Sequence, residues 1–383
     1  MTDFLPHNQI TLLRNGTEYF PALERAIEQA SFEIHLQTYI FEDDIIGRRI
    51  GGALMHAAQR GVHVCLLVDG FGCNRLPRKF IAELQDSGVE VLIYRPKISP
   101  WTLKRNRLRR LHRKVAVMDG KVAFVGGINI IDDMNTPGHT PPRVDYAVQV
   151  EGPLLPSIEA SVRRLWRRIA WARLRSVRPH RTLAAPHQVG NMWAAYVMRD
   201  NALHRHDIEQ AYLAAIESAQ HEIVIANAYF LPGMDFRRAL ISASRRGVRV
   251  VLLLQGRVEY WLLHHATRAL YRSFLAAGIE IHEYQKSFMH SKVAVIDNRW
   301  ATVGSSNIDP MSLWLAREAN IVVDDEGFAR QLRADLEFSI QSGARLLRLD
   351  DWNHIGWIRR GTTWMTYNFI RFVMGLVGFP DKA

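Results

Sequence analysis

At 383 residues and 43.9 kDa the chain suits about two domains with sizeable cores, and its 48% hydrophobic and 23% charged composition excludes an intrinsically disordered chain. A formal charge of +11 and a pI near 9.9 point to an anionic partner, leaving open nucleic acid, an anionic membrane or a phosphate-bearing substrate. Two cysteines, Cys65 and Cys73, form no C-x-x-C pair, which excludes a disulfide framework and favours a reduced, cytosolic setting.

Met1 to Pro6 lacks a charged stretch leading into an apolar run, so no signal peptide is expected, and no segment reaches about 18 uninterrupted apolar residues. A helix-period segment near 17–30 leads into a strand-length apolar run, Phe32-Glu-Ile-His-Leu-Gln-Thr-Tyr-Ile-Phe41. A helical stretch then stops at a glycine, Ala57-Ala-Gln-Arg60-Gly61, before Val62-His-Val-Cys-Leu-Leu-Val68, which is apolar enough to be a buried parallel strand. The basic run Lys104-Arg-Asn-Arg-Leu-Arg-Arg110 precedes His112-Arg-Lys114-Val-Ala-Val-Met-Asp119, in which Lys114 to Met118 reads as a strand and Asp119-Gly120 as the turn into a second strand, 121–125. Gly126-Gly127-Ile-Asn129 follows. Its small residues are expected to free backbone N–H groups for an anion. Further on, Ile158, Val162, Leu165 and Ile169 form a helical apolar stripe, with Arg163, Arg164, Arg167 and Arg168 off it and Trp166 and Trp171 nearby; it reads as a packing helix with a basic outer face, with interfacial docking as the alternative.

The same series then recurs. It runs through a helical segment near 206–219, the strand His221 to Phe230, the stop Ala243-Ser-Arg-Arg246-Gly247 and the strand Val248 to Leu254. The copy of the motif is His290-Ser-Lys292-Val-Ala-Val-Ile-Asp297, 178 residues after the first, with Asp297-Asn298 as its turn and Gly304-Ser305-Ser306-Asn307 at the same offset. A β, α, β, α, motif-strand order that appears twice means two α/β domains. We place them at 1–175 and 176–345, followed by a tail, 346–383. Within the tail, Thr362 to Phe379 is aromatic and apolar but interrupted by Asn368 and Arg371, a pattern suited to a membrane-surface or re-entrant segment rather than a spanning helix.

Two matched motifs imply two half-sites. One neutral imidazole can attack phosphorus and form a phosphohistidine while the other protonates the departing alkoxide. Lys114, Lys292, Asn129 and Asn307 would hold the non-bridging oxygens and stabilise the charge that develops on them. Only eight of the 49 basic residues are Lys, yet two of those eight occupy matched motif positions, where a compact ammonium is not interchangeable with a guanidinium. Asp119 and Asp297 complete the motif and are counted with its catalytic set, although as turn residues they have a structural use first. The sequence contains no H-E-x-x-H, no Cys/His cluster and no P-loop, so no metal or other cofactor is expected.

The paired H-x-K-x-x-x-x-D-x-x-x-x-x-x-G-(G/S)-x-N motifs resemble the phospholipase D superfamily over roughly residues 10–340. That resemblance implies two α/β/α sandwich domains related by a pseudo-twofold axis, with the active site at their interface. It also implies an acidic residue that orients each His, mapped onto Asp145 and Glu318, with Asp145 expected to pair with His112 and Glu318 with His290. It gives the attack to His112. The finer similarity is to bacterial cardiolipin synthases of the B type, carried by Tyr39-Ile-Phe-Glu-Asp-Asp44 with Gly47, Leu108 to Lys114, Phe124 to Asn129, Asp145 to Pro153 and Ala228-Tyr-Phe-Leu-Pro232. This implies transfer of a phosphatidyl group to phosphatidylglycerol, with phosphatidylethanolamine left open as a donor, by a peripheral protein on the cytoplasmic face of the bacterial inner membrane. The partner would be an anionic phospholipid membrane. A phospholipase-type or nucleic-acid phosphodiesterase and a phosphatidylserine synthase-like transferase are the rival readings. Nucleic acid is not the expected partner, because superfamily nucleases are often single-motif chains and the apolar tail would have no use on DNA. A lipid-binding scaffold without activity fits poorly with both His, both Lys and both Asn intact.

Overall fold

The computed structural model describes residues 2–96, 109–136, 140–175, 188–200, 203–257, 261–309 and 316–350. The basic stretch 104–108, the junction 176–187 and the tail segment 362–379 lie outside these residues. In the first half the elements run β1 (Leu5–Arg14), α1 (Asn15–Gln29), β2 (Glu33–Thr38), α2 (Ile45–Gln59), β3 (His63–Asp69), α3 (Arg78–Asp86), β4 (Glu90–Tyr94), β5 (Lys114–Met118), β6 (Val122–Gly126), β7 (Tyr146–Glu151) and α4 (Leu155–Trp171). The second half repeats them as β8 (Met192–Arg199), α5 (Asp207–Ser218), β9 (Glu222–Asn227), α6 (Met234–Arg245), β10 (Arg249–Gln255), α7 (Trp261–Ala276), β11 (Glu280–Tyr284), β12 (Lys292–Ile296), β13 (Trp300–Gly304), β14 (Glu318–Asp324) and α8 (Glu326–Gly343), and adds β15 (Ala344–Leu347).

The fifteen strands of the described residues join one sheet, in the order β15-β11-β10-β9-β12-β13-β14-β8-β1-β7-β6-β5-β2-β3-β4. Apart from β15, the order reads identically outward from the central β8–β1 pair, which is what a pseudo-twofold axis between duplicated halves requires. β2, β3 and β4 pair in parallel, as do β9, β10 and β11, and the remaining neighbours are antiparallel.

Alternation along the strands decides which layer each residue joins. In β3, Val64, Leu66 and Val68 face α1, α2 and α3, while Cys65 and Leu67 face α4. Helix α2 begins where the Asp44 carboxylate caps Gly47 N–H at 2.8 Å and ends at Gly61, whose φ of +90° is open to glycine at no steric cost; Gly247 ends α6 in the same way. A third core lies between the two halves. There Val115, Val117 and Val125 meet Val293, Val295 and Val303, and residues of α4 and α8 close the sides. Each fully buried side chain of this size contributes about 1.5–3 kcal/mol, so the two halves are one cooperative body through that core.

Strands β1 and β8, which join the halves, are not among the predicted elements. β1 carries Pro6 and a left-handed His7, and its pairing with β8 shifts register between Leu5 and Asn8, so its sequence lacks a clean alternation.

Candidate active site

Each motif strand is reached through a segment stitched to the opposite half. Leu111 bridges in parallel to Arg317, and the N–H groups of His112 and Arg113 both donate to Arg317 O, at 3.1 and 2.7 Å. Val144 bridges in parallel to Met289, and His290 N–H donates to Val144 O at 2.8 Å. The residue after each bridge partner's carbonyl is the acid of that half, so each His meets the acid of the other half. Nδ1 of His112 lies 2.8 Å from Glu318 Oε1, and Nδ1 of His290 lies 2.7 Å from Asp145 Oδ2. The expected pairing of Asp145 with His112 and of Glu318 with His290 is therefore corrected: the pairs are crossed. A buried carboxylate against Nδ1 keeps the proton there and leaves Nε2 of each ring for chemistry.

Lys114 and Lys292 are buried, and each Nζ donates to the carbonyl of its own motif histidine, His112 (2.6 Å) and His290 respectively. The Tyr39 ring centre lies 4.8 Å from that of His112 and 5.4 Å from Lys114 Nζ, while Phe288 stacks on His290 at 6.0 Å. These two aromatic walls went unnoticed in the sequence, although Tyr39 closes the strand that leads to the site. Asn129 and Asn307 are buried in the turns after β6 and β13, and Asn129 Oδ1 accepts Ile40 N–H at 3.1 Å. His112, Lys114, Asn129, His290, Lys292, Asn307, Asp145 and Glu318 thus gather where the two halves meet.

Two expectations are corrected. Asp119 and Asp297 do not join this cluster. Asp119 accepts the N–H groups of Ser31, Phe32 and Glu33 at 2.8, 2.9 and 2.8 Å, and Asp297 accepts those of Gln220, His221 and Glu222, each at 2.8 Å. Both sit with φ of +52° in the hairpin turns, at the far end of a five-residue strand from Lys114 or Lys292, about 16 Å away. Their motif role is to tie that turn to the start of β2 or β9. The glycine pairs also do not free N–H groups, because Gly127 N–H donates to Tyr146 O and Ser305 N–H to Ala319 O.

What position 127 or 305 does instead is accommodate the acid. Ser305 Oγ donates to Glu318 Oε2 at 2.5 Å. At Gly127 a Cβ would lie 2.3 Å from Asp145 Oδ1, so only glycine leaves room for that carboxylate. The signal was present in the sequence as Gly-Gly paired with Asp and Gly-Ser paired with Glu.

The electrostatics follow from burial. Burial lowers the His112 pKa, with Glu318 opposing and Lys114 adding to the effect. His290 is held well below the usual histidine value by burial and then by Lys292, Lys114, His112 and Arg143. Burial also brings the Lys114 ammonium down to about 7 and pushes the Asp145 carboxyl up to about 6. A buried set of cations and neutral imidazoles gains most from an anion that supplies oxygens to both lysines, and a tetrahedral phosphodiester has that charge and shape.

Helix α4 packs by Ile158, Val162 and Leu165 of its predicted stripe; Ile169, the fourth, is only partly buried, and Trp166 joins the core instead. Its Arg163 pairs with Glu33 and Glu159, at the opposite end of β2 from Tyr39 and His112. The basic face therefore does not border the histidine pair.

Comparison with known proteins adds the family. Residues 23–136 and 212–339 match the family described as cardiolipin synthase, phospholipase D-like domain. The chain is 37% identical over 382 residues to cardiolipin synthase B of Shigella flexneri, covering 97% of this chain and 90% of that protein. It is 30% identical over 376 residues to a probable cardiolipin synthase of Bacillus subtilis, covering 97% and 72%. Among solved structures, a phosphatidylserine synthase of Haemophilus influenzae shares the fold with a TM-score of 0.66 at 13% identity, covering 98% and 96%.

Proposed function

Because the chain belongs to the family of phospholipase D-like cardiolipin synthases, we propose that it transfers a phosphatidyl group to phosphatidylglycerol and so makes cardiolipin. Residues 1–175 and 176–345 are taken as the two modules that supply its half-sites. The observation that carries the reading is the crossed pair of His–carboxylate contacts, which makes one site that neither half can form alone.

Nε2 of His112 attacks the phosphorus of the donor lipid, and the P–O bond to the headgroup glycerol breaks. Glu318 stabilises the positive charge that forms on the His112 ring. The His290–Asp145 pair must carry one proton more than the His112–Glu318 pair, shared with an Asp145 carboxyl raised to about 6, so that Nε2 of His290 bears a proton and gives it to the departing glycerol oxygen. The primary hydroxyl of the acceptor phosphatidylglycerol then returns a proton to His290 and attacks phosphorus, the P–N bond breaks, and cardiolipin leaves. Lys114, Lys292, Asn129 and Asn307 hold the phosphate oxygens throughout. Water in place of the acceptor would give phosphatidic acid, so the aromatic walls Tyr39 and Phe288 serve transfer by keeping the site dry.

No described helix is long and apolar enough to cross a membrane. We place the protein peripherally on the cytoplasmic face of the inner membrane, with anionic phospholipid as its surface. Purified enzyme with phosphatidylglycerol vesicles should yield cardiolipin and glycerol by lipid mass spectrometry. Failure to make cardiolipin or phosphatidic acid, together with cleavage of single-stranded DNA, would overturn the proposal.

A further inference from the structure

The duplication provides an internal control for a cluster that catalysis does not use. In the second half Glu222, Arg249 and Glu280 begin β9, β10 and β11, three neighbouring parallel strands. Arg249 donates to Glu280 at 2.8 and 2.9 Å and to Glu222 at 2.5 Å, and Arg333 of α8 grips Glu222 at 2.6 and 3.0 Å. The next residues on that face, Val224 and Val251, are buried and apolar. Guanidinium and carboxylates satisfy each other, and nothing more is needed.

The first half keeps the frame and changes its contents. Glu33, His63 and Glu90 stand at the matching registers of β2, β3 and β4, and Arg163 of α4 grips Glu33 as Arg333 grips Glu222. The bridging Arg has become His63, and the two valines have become His35 and Cys65. All three changes are to residue types that ligate transition metals. His63 Nε2 lies 3.0 Å from Glu90 Oε1 and 3.4 Å from Cys65 Sγ, and its Nδ1 lies 3.2 Å from Glu33 Oε1. His35, buried beside them, has Nε2 3.0 Å from the same Glu33 oxygen and an Nδ1 with no partner.

We propose that His63, Cys65 and Glu90 bind one zinc-class divalent ion, with Glu33 orienting His63 from behind. Their ligand atoms lie within 4.8 Å of one another. The edges of a tetrahedron with zinc bonds of about 2.0–2.3 Å are about 3.3–3.8 Å long, so the 3.0 and 3.4 Å contacts need only small adjustments. Glu33 behind Nδ1 makes the carboxylate–histidine–metal relay that fixes a ligand's tautomer and raises its basicity. Mixed N, S and O donors suit zinc over magnesium or calcium. Binding replaces the Cys65 thiol proton, which is released to solvent. His63 also lines a cavity of about 1140 Å³, together with Glu33, His35 and the arginines of α4. The cluster occupies the end of β2 remote from Tyr39, about 13 Å along the strand from it at the level of His35 and Cys65 and about 20 Å at the level of Glu33 and His63, at 3.3 Å per residue, so its role is to brace the sheet rather than to take part in transfer.

The test uses the full chain, stripped with a chelator and titrated with Co²⁺ and then Zn²⁺. Expected are about one Co²⁺ per chain, a near-ultraviolet thiolate-to-cobalt band displaced by Zn²⁺, and a rise in Tm with Zn²⁺. Cys65→Ser should remove the band, whereas Cys73→Ser should keep it. Glu90→Gln, at a partly exposed position, and Glu33→Gln should each weaken binding about 10–100-fold. The triple variant His35→Val, His63→Arg, Cys65→Val copies the second half and should fold, retain lipid transfer and bind no cobalt. A folded wild-type chain without the band, or a band that survives Cys65→Ser or the triple variant, overturns the proposal.

Discussion

Replacing Glu318 by Gln tests the crossed site most directly. The carboxylate is fully buried and its two oxygens are used, one by His112 Nδ1 at 2.8 Å and the other by Ser305 Oγ at 2.5 Å. The amide keeps the shape but loses the charge, and it can hold His112 with its NH₂ group only if the ring moves its proton to Nε2. That tautomer has no lone pair at the attacking nitrogen. Removing the charge behind a catalytic imidazole in this way lowers kcat by about 10⁴ in serine proteases. At 1.36 kcal/mol per decade the expected loss of about 10³–10⁴ corresponds to about 4–5.5 kcal/mol of activation free energy. The assay is quenched-reaction intact mass spectrometry of the protein for a phosphatidyl adduct, beside cardiolipin formation. Glu318→Gln should resemble His112→Ala and form no adduct. Asp145→Asn should resemble His290→Ala, with slow turnover and whatever adduct that variant traps. If Asp145→Asn behaves as His112→Ala and Glu318→Gln as His290→Ala, the crossed assignment is wrong.

Asp119→Ala should separate structure from chemistry: three backbone N–H groups lose their acceptor, which costs about 2–4 kcal/mol in urea unfolding, while kcat per folded molecule stays within about threefold. A loss of kcat comparable to that of His112→Ala would return Asp119 to the catalytic set. With a soluble short-chain phosphatidylglycerol, kcat/KM should fall as pH rises through about 7, where Lys114 loses its proton in the free enzyme, and the limb in kcat should lie higher because bound phosphate favours the ammonium. A kcat/KM flat to pH 9 would contradict it. The same depression lets the unfolded chain bind the extra proton between about 7 and 10.5, so the ligand-free protein gains stability as pH rises through that window, measurable by urea titration. Gly127→Ser should drive Asp145 off His290 and lower activity at least about 100-fold, since misplacement of about 1 Å suffices for that. Adding Asp145→Glu, which reproduces the Ser305–Glu318 arrangement, should recover at least about tenfold. Equal or lower activity in the double variant would show that the two positions do not compensate.

Much of this was legible because strand and helix periods are local. The apolar runs that became β2, β3, β9 and β10, the glycine stops at 61 and 247 and the hairpin turns at 119 and 297 each rest on a few neighbouring residues. The crossing was not legible. It depends on Arg317 and Val144 pairing with residues of the other half, a contact between positions 145 to 206 apart that no local pattern encodes. The same holds for Glu33, His63, Cys65 and Glu90, which come together only when three parallel strands align. A search for clustered Cys and His along the chain is blind to ligands spread over separate strands.

The two halves differ least at the residues proposed to touch substrate and most where one half can compensate for its own change. His, Lys and Asn keep the same identity at matched motif positions, as the proposed phosphate between two half-sites would require, since it would present equivalent oxygens to both. The acids differ, Asp145 against Glu318, and each difference is absorbed locally, by Gly127 making room or by Ser305 donating a bond. Arg249 against His63 is a difference of another kind. The Arg satisfies Glu222 and Glu280 completely, whereas His63 brings Cys65 and His35 with it and leaves a buried ring nitrogen unpaired. Local compensation explains the acids, but it does not account for replacing a bridging Arg and two valines with two His and a Cys, which the proposed ion at His63, Cys65 and Glu90 does.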